Sequence, residues 1–246
     1  MPDVKHAPLA DRFPSLDPRM LGAVVFDMDG LLLDSERLDR RLWQLAAHRR
    51  GLALPDAVHA ALAGRREDEC LALLAQHFGS EIELASLRDE VDAAWQDQVL
   101  HDGIPLKAGV ERILNLLDTH GILKAIATST GRAKALQSLG PLAGRLDAIA
   151  CGDEVPNGKP APDVYLRAGE LLSVAPERCL ALEDSINGYR AASDAGMIVI
   201  MVPDLLEAPA DVPYVCSSLD GIAAGLARAL ACRPRDTSSF ARSSTQ

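Results

Sequence analysis

Long hydrophobic runs are absent from this sequence of 246 residues. Apolar stretches such as residues 21–26 are far shorter than the roughly 20 residues that a membrane-spanning helix needs. The first residues, 1–19, are polar and lack the apolar core of a signal peptide. We therefore expect no membrane contact and a cytoplasmic location.

Cysteine is scarce and irregularly spaced, because the chain has 5 Cys and no C-x-x-C pair. An odd number of widely separated cysteines does not fit a disulfide framework or a zinc site. The sequence predicts reduced, mostly buried thiols that take no part in catalysis.

Positive charge is also in deficit, since 25 Lys and Arg stand against 35 Asp and Glu, for a net charge of -10. Proteins that bind nucleic acid need clustered cations to displace the counterions of the phosphate backbone. The composition therefore argues against a nucleic-acid partner. A small anionic molecule held by a few local cations is still compatible with it.

Five short apolar or β-branched runs alternate with helical patterns. Val110, Ile113, Leu114 and Leu117 recur at helical spacing just before the second run. This alternation is typical of an α/β protein with a doubly wound parallel sheet, in which ligands bind at the carboxyl ends of the strands. The runs cover residues 23–26, 123–127, 146–151, 179–182 and 198–202.

Residues 35–104 interrupt this alternation and show only helical periodicity, for example Leu71, Leu74 and Phe78. We predict an inserted α-helical cap domain at 35–104, a core domain formed by residues 20–34 and 105–232, and flexible tails at 1–19 and 233–246. Such a cap would enclose a small substrate and exclude water. Helices that only cover the sheet would give the same periodicity.

Asp27 and Asp29 follow the first predicted strand. In extended backbone, side chains two residues apart point to the same side, so both carboxylates can face one ligand. Carboxylate oxygens bind Mg²⁺, and one carboxylate can also attack phosphorus. A strand end followed by an Asp-Gly turn is the ordinary explanation of the same pattern.

Hydroxyl and ammonium groups follow the next predicted strands. Thr128 and Ser129 end the second run and begin a helix, where hydroxyls and backbone N–H groups bind phosphate oxygens or simply cap the helix. Lys159 lies in a loop stiffened by Pro160 and Pro162, which suits phosphate binding, although a single lysine is usually just solvated.

Glu183 and Asp184 follow the fourth predicted strand and could complete a magnesium site, or Asp184 could be a helix N-cap. Each ordinary explanation accounts for one segment. None accounts for polar groups at the carboxyl ends of successive strands, which meet at one edge of an open sheet.

Four segments together resemble the sequence motifs of the haloacid dehalogenase (HAD) superfamily, over about residues 21–230. The resemblance implies a HAD Rossmann-like core, and the helical insert is similar to the cap of the β-phosphoglucomutase-like branch of sugar-phosphate phosphatases and mutases. The segments are Phe26-Asp27-Met28-Asp29-Gly30, Thr128-Ser129, Gly158-Lys159-Pro160-Ala161-Pro162-Asp163 and Leu182-Glu183-Asp184-Ser185.

The resemblance implies a Mg²⁺-dependent phosphatase acting on a small phosphorylated metabolite, a sugar or sugar-acid phosphate, through an aspartyl-phosphate. Asp27 is then the nucleophile, Asp29 the general acid and base, and Thr128 and Lys159 the catalytic phosphate ligands. Ser129 would bind substrate. The implied ligands of Mg²⁺ are Asp27, Asp29 through its carbonyl, Glu183 and Asp184.

In the cap, Gly64, Arg65 and Arg66 are implied substrate-binding residues, although arginines on a helical domain are more often solvated.

Asp39 stands where the mutases of this branch carry a histidine, which argues against the alternative of a phosphomutase. A true haloacid dehalogenase needs neither Asp29 nor magnesium. A receiver-like module phosphorylated on aspartate would lack the helical insert. The sequence leaves the oligomeric state open.

Overall fold

The structure, a computed structural model, describes residues 12–62, 65, 67–79, 83–204 and 207–231. These residues form a five-stranded sheet with the strand order β3-β2-β1-β4-β5, and all neighbouring strands are parallel. The central strand, β1, is therefore flanked by β2 and β4. The strands are β1 Ala23–Phe26, β2 Leu123–Ala127, β3 Ala148–Ala150, β4 Cys179–Glu183 and β5 Ile198–Met201.

Helices cover both faces of the sheet, because alternate strand residues point to opposite sides. In β1, Val24 and Phe26 belong to one hydrophobic cluster and Ala23 and Val25 to another. Helices α5 and α9 contribute to the first cluster, and α7 and α8 to the second. The predicted doubly wound parallel sheet is confirmed. The helices that follow the insert are α5 Val110–Thr119, α6 Arg132–Leu139, α7 Asp163–Leu172, α8 Ile186–Asp194 and α9 Leu219–Leu230.

The described part of residues 35–101, between β1 and α5, is mainly helical, as predicted, and has a hydrophobic core of its own. Leu42, Leu74, Val91 and Trp95 pack together there, separately from the two clusters of the sheet. This insert is therefore a helical unit attached to the sheet. Its helices are α1 Ser35–Arg49, α2 Asp56–Ala60, α3 Glu67–Phe78 and α4 Leu84–His101.

The two segments that connect the insert to the sheet lie side by side. Leu33 and Leu106 form an antiparallel bridge between them. Lys107 donates to Asp204 at 2.5 Å and lies 3.8 Å from Asp34. This ion-pair group ties both connections to the loop after β5.

Residues 12–19, which belong to the predicted flexible tail, contain two residues that contact the core domain. Arg12 exchanges two backbone hydrogen bonds with Val215, at 2.7 and 3.1 Å. Phe13 lies so close to Gly225 that a Cβ at that glycine would overlap the ring. This aromatic side chain fills a gap in α9, which sequence periodicity does not reveal. Residues 1–11 and 233–246 of the predicted tails lie outside the described residues.

Three of the cysteines, Cys70, Cys151 and Cys179, are reduced in the structure. Burial raises the pKa of the Cys151 and Cys179 thiols to about 11 and that of Cys70 to about 12. These thiols therefore stay protonated and are poor nucleophiles. Among the described residues, no helix is both long and apolar enough to span a membrane.

Candidate active site

Carboxylates from two neighbouring strands meet at the centre of the sheet edge. Phe26 of β1 is paired with Leu182 of β4, so Asp27 and Glu183 come next to each other at the carboxyl ends of these strands. The backbone N–H of Asp27 donates to the carbonyl of Leu182 at 3.0 Å. Parallel pairing therefore brings together residues that are far apart in the chain.

Lys159 lies between these carboxylates. Its Nζ donates to Asp27 Oδ1 at 2.5 Å and to Glu183 Oε1 at 2.6 Å, and its side chain is 1% exposed. Burial opposes the charge on Lys159, but the negative charges of Asp27 and Glu183 prevail and raise its pKa. The ammonium group therefore stays charged and neutralises part of the carboxylate cluster.

Both carboxylate oxygens of Glu183 accept hydrogen bonds, and the carboxylate packs against Gly188. Tyr165 donates its hydroxyl to Oε1 at 2.5 Å, and the backbone N–H and hydroxyl of Ser185 donate to Oε2 at 3.3 and 3.2 Å. Gly188 leaves the space that the carboxylate fills, because a Cβ there would overlap both of its oxygens. Glu183 is thus fixed by hydrogen bonds and by packing.

Replacing Gly188 with alanine is expected to displace the Glu183 carboxylate and break its buried contacts. We expect the free energy of unfolding to fall by about 3 kcal/mol or more, because a buried ion pair is disrupted. Urea denaturation of the two proteins measures the difference. Gly144→Ala is the control, since nothing lies within 4 Å of its added Cβ. An equal effect of both substitutions would refute this account of Gly188.

Asp27, Glu183 and Asp184 form a cluster that could hold a metal ion, since one carboxylate oxygen from each lies within 4.8 Å of the others. Burial raises the pKa of Asp27 to about 8 although Lys159 opposes this. Burial, together with the charges of Asp27 and Glu183, raises the pKa of Asp184 well above its usual range. When all three carboxylates are ionised they exceed the charge of one ammonium, and a divalent cation would neutralise the excess.

Asp29 accepts hydrogen bonds from two hydroxyl groups. Ser35, at the start of α1, donates to Oδ1 at 2.7 Å, and Thr130, after β2, donates to Oδ2 at 2.8 Å. One donor comes from the insert and the other from the sheet. These contacts fix the orientation of the Asp29 carboxylate relative to Asp27.

Thr128 and Ser129 follow β2, directly beside the end of β1. Thr128 is buried, and its Oγ1 accepts from the backbone N–H of Thr130 at 3.1 Å. Gly152 lets the loop after β3 pass against Ser129, because a Cβ there would overlap the carbonyl of Ser129. The predicted residues Asp27, Asp29, Thr128 and Ser129 all line one cavity.

This cavity has a volume of about 350 Å³ and is enclosed by both the sheet edge and the insert. Arg65, which was predicted to bind substrate, lines the cavity and forms an ion pair with Glu69 at 3.5 Å. Gly64 and Arg66, predicted for the same loop, lie outside the described residues. The helical insert therefore forms one wall of the cavity that contains Asp27.

Several residues of the site were given no individual role from the sequence. Tyr165, Thr130 and Ser35 each donate to a carboxylate of the site, and His59 and Trp95 line the cavity from the insert. Two of these could have been found from the sequence by their closeness to predicted site residues. Thr130 lies two residues after Thr128, and Ser35 lies six residues after Asp29. The other three contacts join distant elements and have no local pattern.

Comparisons with known proteins agree with this geometry. A family model described as haloacid dehalogenase-like hydrolase matches residues 21–196. The phosphorylated carbohydrates phosphatase of Thermotoga maritima is 33% identical over 177 residues, which are 71% of this chain and 82% of that protein. Hexitol phosphatase A of Escherichia coli (strain K12) is 33% identical over 194 residues, which are 77% of this chain and 84% of that protein.

Among solved structures, CbbY from Rhodobacter sphaeroides in complex with phosphate is similar to this chain. The TM-score is 0.71 at 28% sequence identity, and the match covers 82% of this chain and 96% of that one. The likeness therefore extends over most of this chain.

Proposed function

Because the chain belongs to the haloacid dehalogenase-like hydrolase family, we propose that it is a magnesium-dependent phosphatase. Its substrate is a small phosphorylated metabolite, a sugar or sugar-acid phosphate, and the reaction passes through an aspartyl-phosphate on Asp27. The observation that carries this proposal is the carboxylate cluster of Asp27, Glu183 and Asp184, with Lys159 bound to Asp27 and Glu183, beside a cavity of about 350 Å³, which is large enough for a small molecule.

Asp27 suits the role of nucleophile because it is buried, oriented and lines the cavity. Its carboxylate oxygen forms a bond to phosphorus while the bond from phosphorus to the alcohol oxygen of the substrate breaks. Lys159 and Thr128 bind the phosphoryl oxygens, whose charge spreads in the transition state, and Ser129 contacts the substrate. Catalysis then depends mainly on positioning and on charge stabilisation.

Asp29 suits the role of acid and base because Ser35 and Thr130 fix its carboxylate. In the first step Asp29 gives its proton to the departing alcohol oxygen. In the second it takes a proton from the water that attacks phosphorus, and the bond between Asp27 and the phosphoryl group breaks. Because Ser35 belongs to the insert, the orientation of the Asp29 carboxylate depends on the position of the insert.

The residues at the cluster fit Mg²⁺, which prefers oxygen ligands. Asp27, Asp184 and Glu183 would hold it with the Asp29 carbonyl, and when bound it would polarise the phosphoryl oxygens. In this proposal residues 35–104 form the cap that excludes water from the cavity, and residues 20–34 and 105–232 form the core. Phosphate release from sugar, sugar-acid and polyol monophosphates, with and without Mg²⁺, tests the proposal.

We expect Mg²⁺ to raise the melting temperature, and to raise it more at pH 8 than at pH 5.5. The folded pKa of Asp27 is about 8, above its unfolded value. The stability that this group contributes in the metal-free protein is therefore full below about pH 4 and lost as the pH rises through 8. Mg²⁺ binds the ionised form of Asp27, so the increase in melting temperature that it causes grows over the same pH range. Saturating metal contributes about 3 kcal/mol at 100 times Kd, or roughly 6–12 °C.

Scanning calorimetry at both pH values, with Na⁺ at matched ionic strength, checks this expectation. Asp184→Asn removes one carboxylate of the cluster and should reduce the Mg²⁺ effect. An equal Mg²⁺ shift at both pH values, or a full shift in Asp184→Asn, would contradict the proposed metal site.

A further inference from the structure

Asp204, in the loop after β5, holds the insert against the sheet by ion pairs. Its Oδ1 accepts from Arg37 of α1 at 2.9 Å and from Lys107, in the connection that follows the insert, at 2.5 Å. The side chain of Asp204 is 4% exposed, so solvent screens these contacts less than it screens surface ion pairs. One carboxylate of the core therefore binds a cation of the insert and a cation of the connection.

The first turn of α1 lacks the side-chain cap that usually fixes the beginning of a helix. Asp34 is the N-cap residue, but its carboxylate forms no cap hydrogen bond. It lies instead 2.5 Å from Arg37 and 3.8 Å from Lys107, the two cations that Asp204 also contacts. We call Asp34, Arg37, Lys107 and Asp204 the anchor cluster. Its ion pairs, rather than a cap, fix where α1 begins.

Stability is a weak explanation for the carboxylate of Asp204. Its Oδ2 is buried and has no hydrogen-bond partner among the described residues. A buried carboxylate loses its hydration, and an oxygen without a donor does not recover that loss. Both cations of the anchor cluster also lie within 4 Å of Asp34. What Asp204 adds is a link from the beginning of the insert to the loop after β5.

Ser35 connects the anchor cluster with the acid of the active site. It is the first residue of α1, next to Asp34 and two residues before Arg37. Its hydroxyl is buried and donates to Asp29 Oδ1 at 2.7 Å. Because a separation of about 3.6 Å is no longer a hydrogen bond, a shift of the first turn of α1 by about 1 Å would release the Asp29 carboxylate.

We propose that Asp204 is a positioning residue for the proton transfer from Asp29. Through Arg37 and Lys107 it fixes the first turn of α1, and with it the Ser35 hydroxyl that orients Asp29. Asp204 itself does not line the cavity. This inference rests on the proposed phosphatase function, in which Asp29 protonates the departing alcohol. The effect of Asp204 should therefore be largest for an alcohol that cannot leave without a proton.

The test compares two substrates whose leaving groups differ in their need for a proton. Benzyl phosphate releases an alkyl alcohol, which needs a general acid, whereas p-nitrophenyl phosphate releases a stable phenolate. With Mg²⁺, we expect Asp204→Asn to lower kcat/KM for benzyl phosphate by about tenfold and that for p-nitrophenyl phosphate by less than about twofold. Because kcat/KM covers only the steps up to departure of the alcohol, the later attack of water does not enter the comparison.

Two further variants calibrate this result. Ser35→Ala removes the hydroxyl itself and should show the same dependence on the leaving group. Glu90→Gln is the matched control, because Glu90 also binds two cations, Arg49 at 2.8 Å and Arg50 at 3.4 Å. All three of these residues lie in the insert, so their ion pairs do not link it to the sheet. Both kcat/KM values of Glu90→Gln should stay within about twofold of wild type.

Combining Asp204→Asn with Ser35→Ala tests whether the two residues act by one route. With benzyl phosphate, and with the fastest sugar phosphate of the panel, the double variant should be less than about twofold slower than Ser35→Ala alone. Losses that multiply would show that Asp204 acts independently of Ser35 and would overturn the inference. Equal losses with the two aromatic substrates in Asp204→Asn, which indicate a general effect on folding, would overturn it as well.

The same measurements separate a failed inference from a failed function. If the folded wild-type protein with Mg²⁺ releases no phosphate from these compounds or from the sugar phosphates, both fail. If Asp29→Asn loses as much activity with p-nitrophenyl phosphate as with benzyl phosphate, the acid role of Asp29 fails and the inference fails with it. A loss in Asp29→Asn that is larger with benzyl phosphate, together with an Asp204→Asn variant that behaves like Glu90→Gln, overturns the inference alone and leaves the phosphatase standing.

Discussion

Replacing Asp27 with asparagine is expected to lower kcat/KM for phosphate release by at least about 10³-fold, because the amide oxygen cannot form the aspartyl-phosphate. The substitution keeps the shape of the side chain. Lys159 keeps its contact with Glu183 at 2.6 Å, and the substitution removes a carboxyl group whose ionisation is made unfavourable by burial. We therefore expect the variant to stay folded, with a melting temperature at least as high as that of wild type in the absence of Mg²⁺.

Asp147→Asn is the matched control, since the Asp147 carboxylate is 39% exposed and contacts Lys124 on another part of the sheet. Initial rates with a phosphorylated sugar and saturating Mg²⁺ distinguish the two variants. The assignment of Asp27 as nucleophile fails if Asp27→Asn keeps more than about a tenth of wild-type activity.

Replacing Lys159 with methionine is expected to lower the free energy of unfolding by about 3–5 kcal/mol at neutral pH without metal. Its ammonium is the group that Asp27 and Glu183 share, and the side chain is 1% exposed. Without it, buried carboxylates remain close together with no counter-charge. Because a divalent cation neutralises the same groups, the loss should be smaller with Mg²⁺. Phosphatase activity should fall as well, since the phosphoryl group loses a cation.

Lys124→Met provides the comparison for this substitution. Lys124 is also shielded, at 8% exposure of its side chain, but its partners Asp118 and Asp147 are 43% and 39% exposed. Partly exposed ion pairs contribute at most about 1 kcal/mol, so the expected loss is small. Similar losses in the two variants, measured by urea denaturation, would show that Lys159 has no special role in the carboxylate cluster.

Much of the sheet could be predicted because the strand ends coincide with changes in side-chain chemistry. The apolar run of β1 ends at Phe26, directly before Asp27, and that of β2 ends at Ala127, directly before Thr128. Parallel strands then bring these ends to one edge. The arrangement of Asp27, Asp29 and Thr128 around one cavity follows from this local information and the parallel topology.

The edge strand β3 is shorter than the predicted run of residues 146–151. Asp147 uses its carboxylate to accept the backbone N–H of Lys124 at 2.8 Å, so a side-chain contact precedes the strand at this point. Hydropathy does not distinguish a contact made by a side chain from the backbone pairing of a strand.

Contacts between the helices of the insert could not be predicted either. Helical periodicity predicted helices in residues 35–104 but not the hydrogen bond of Asp39 to His59, which joins α1 to the short helix α2. Likewise, Lys134 of α6 places its ammonium 4.7 Å from the centre of the Trp95 ring of α4. Such contacts depend on how separate elements pack. These contacts determine which side chains of the insert line the cavity. The substrate could therefore not be predicted from the sequence.

The aspartyl-phosphate itself can be trapped directly. Wild-type protein is mixed with Mg²⁺ and a turned-over sugar phosphate, quenched within the first turnovers and reduced with borohydride, which converts an acyl phosphate of aspartate to homoserine. We predict homoserine at residue 27 by peptide mass spectrometry, and none in protein without substrate. Steady turnover with Asp27 unmodified throughout, or homoserine at another aspartate, would contradict the central claim.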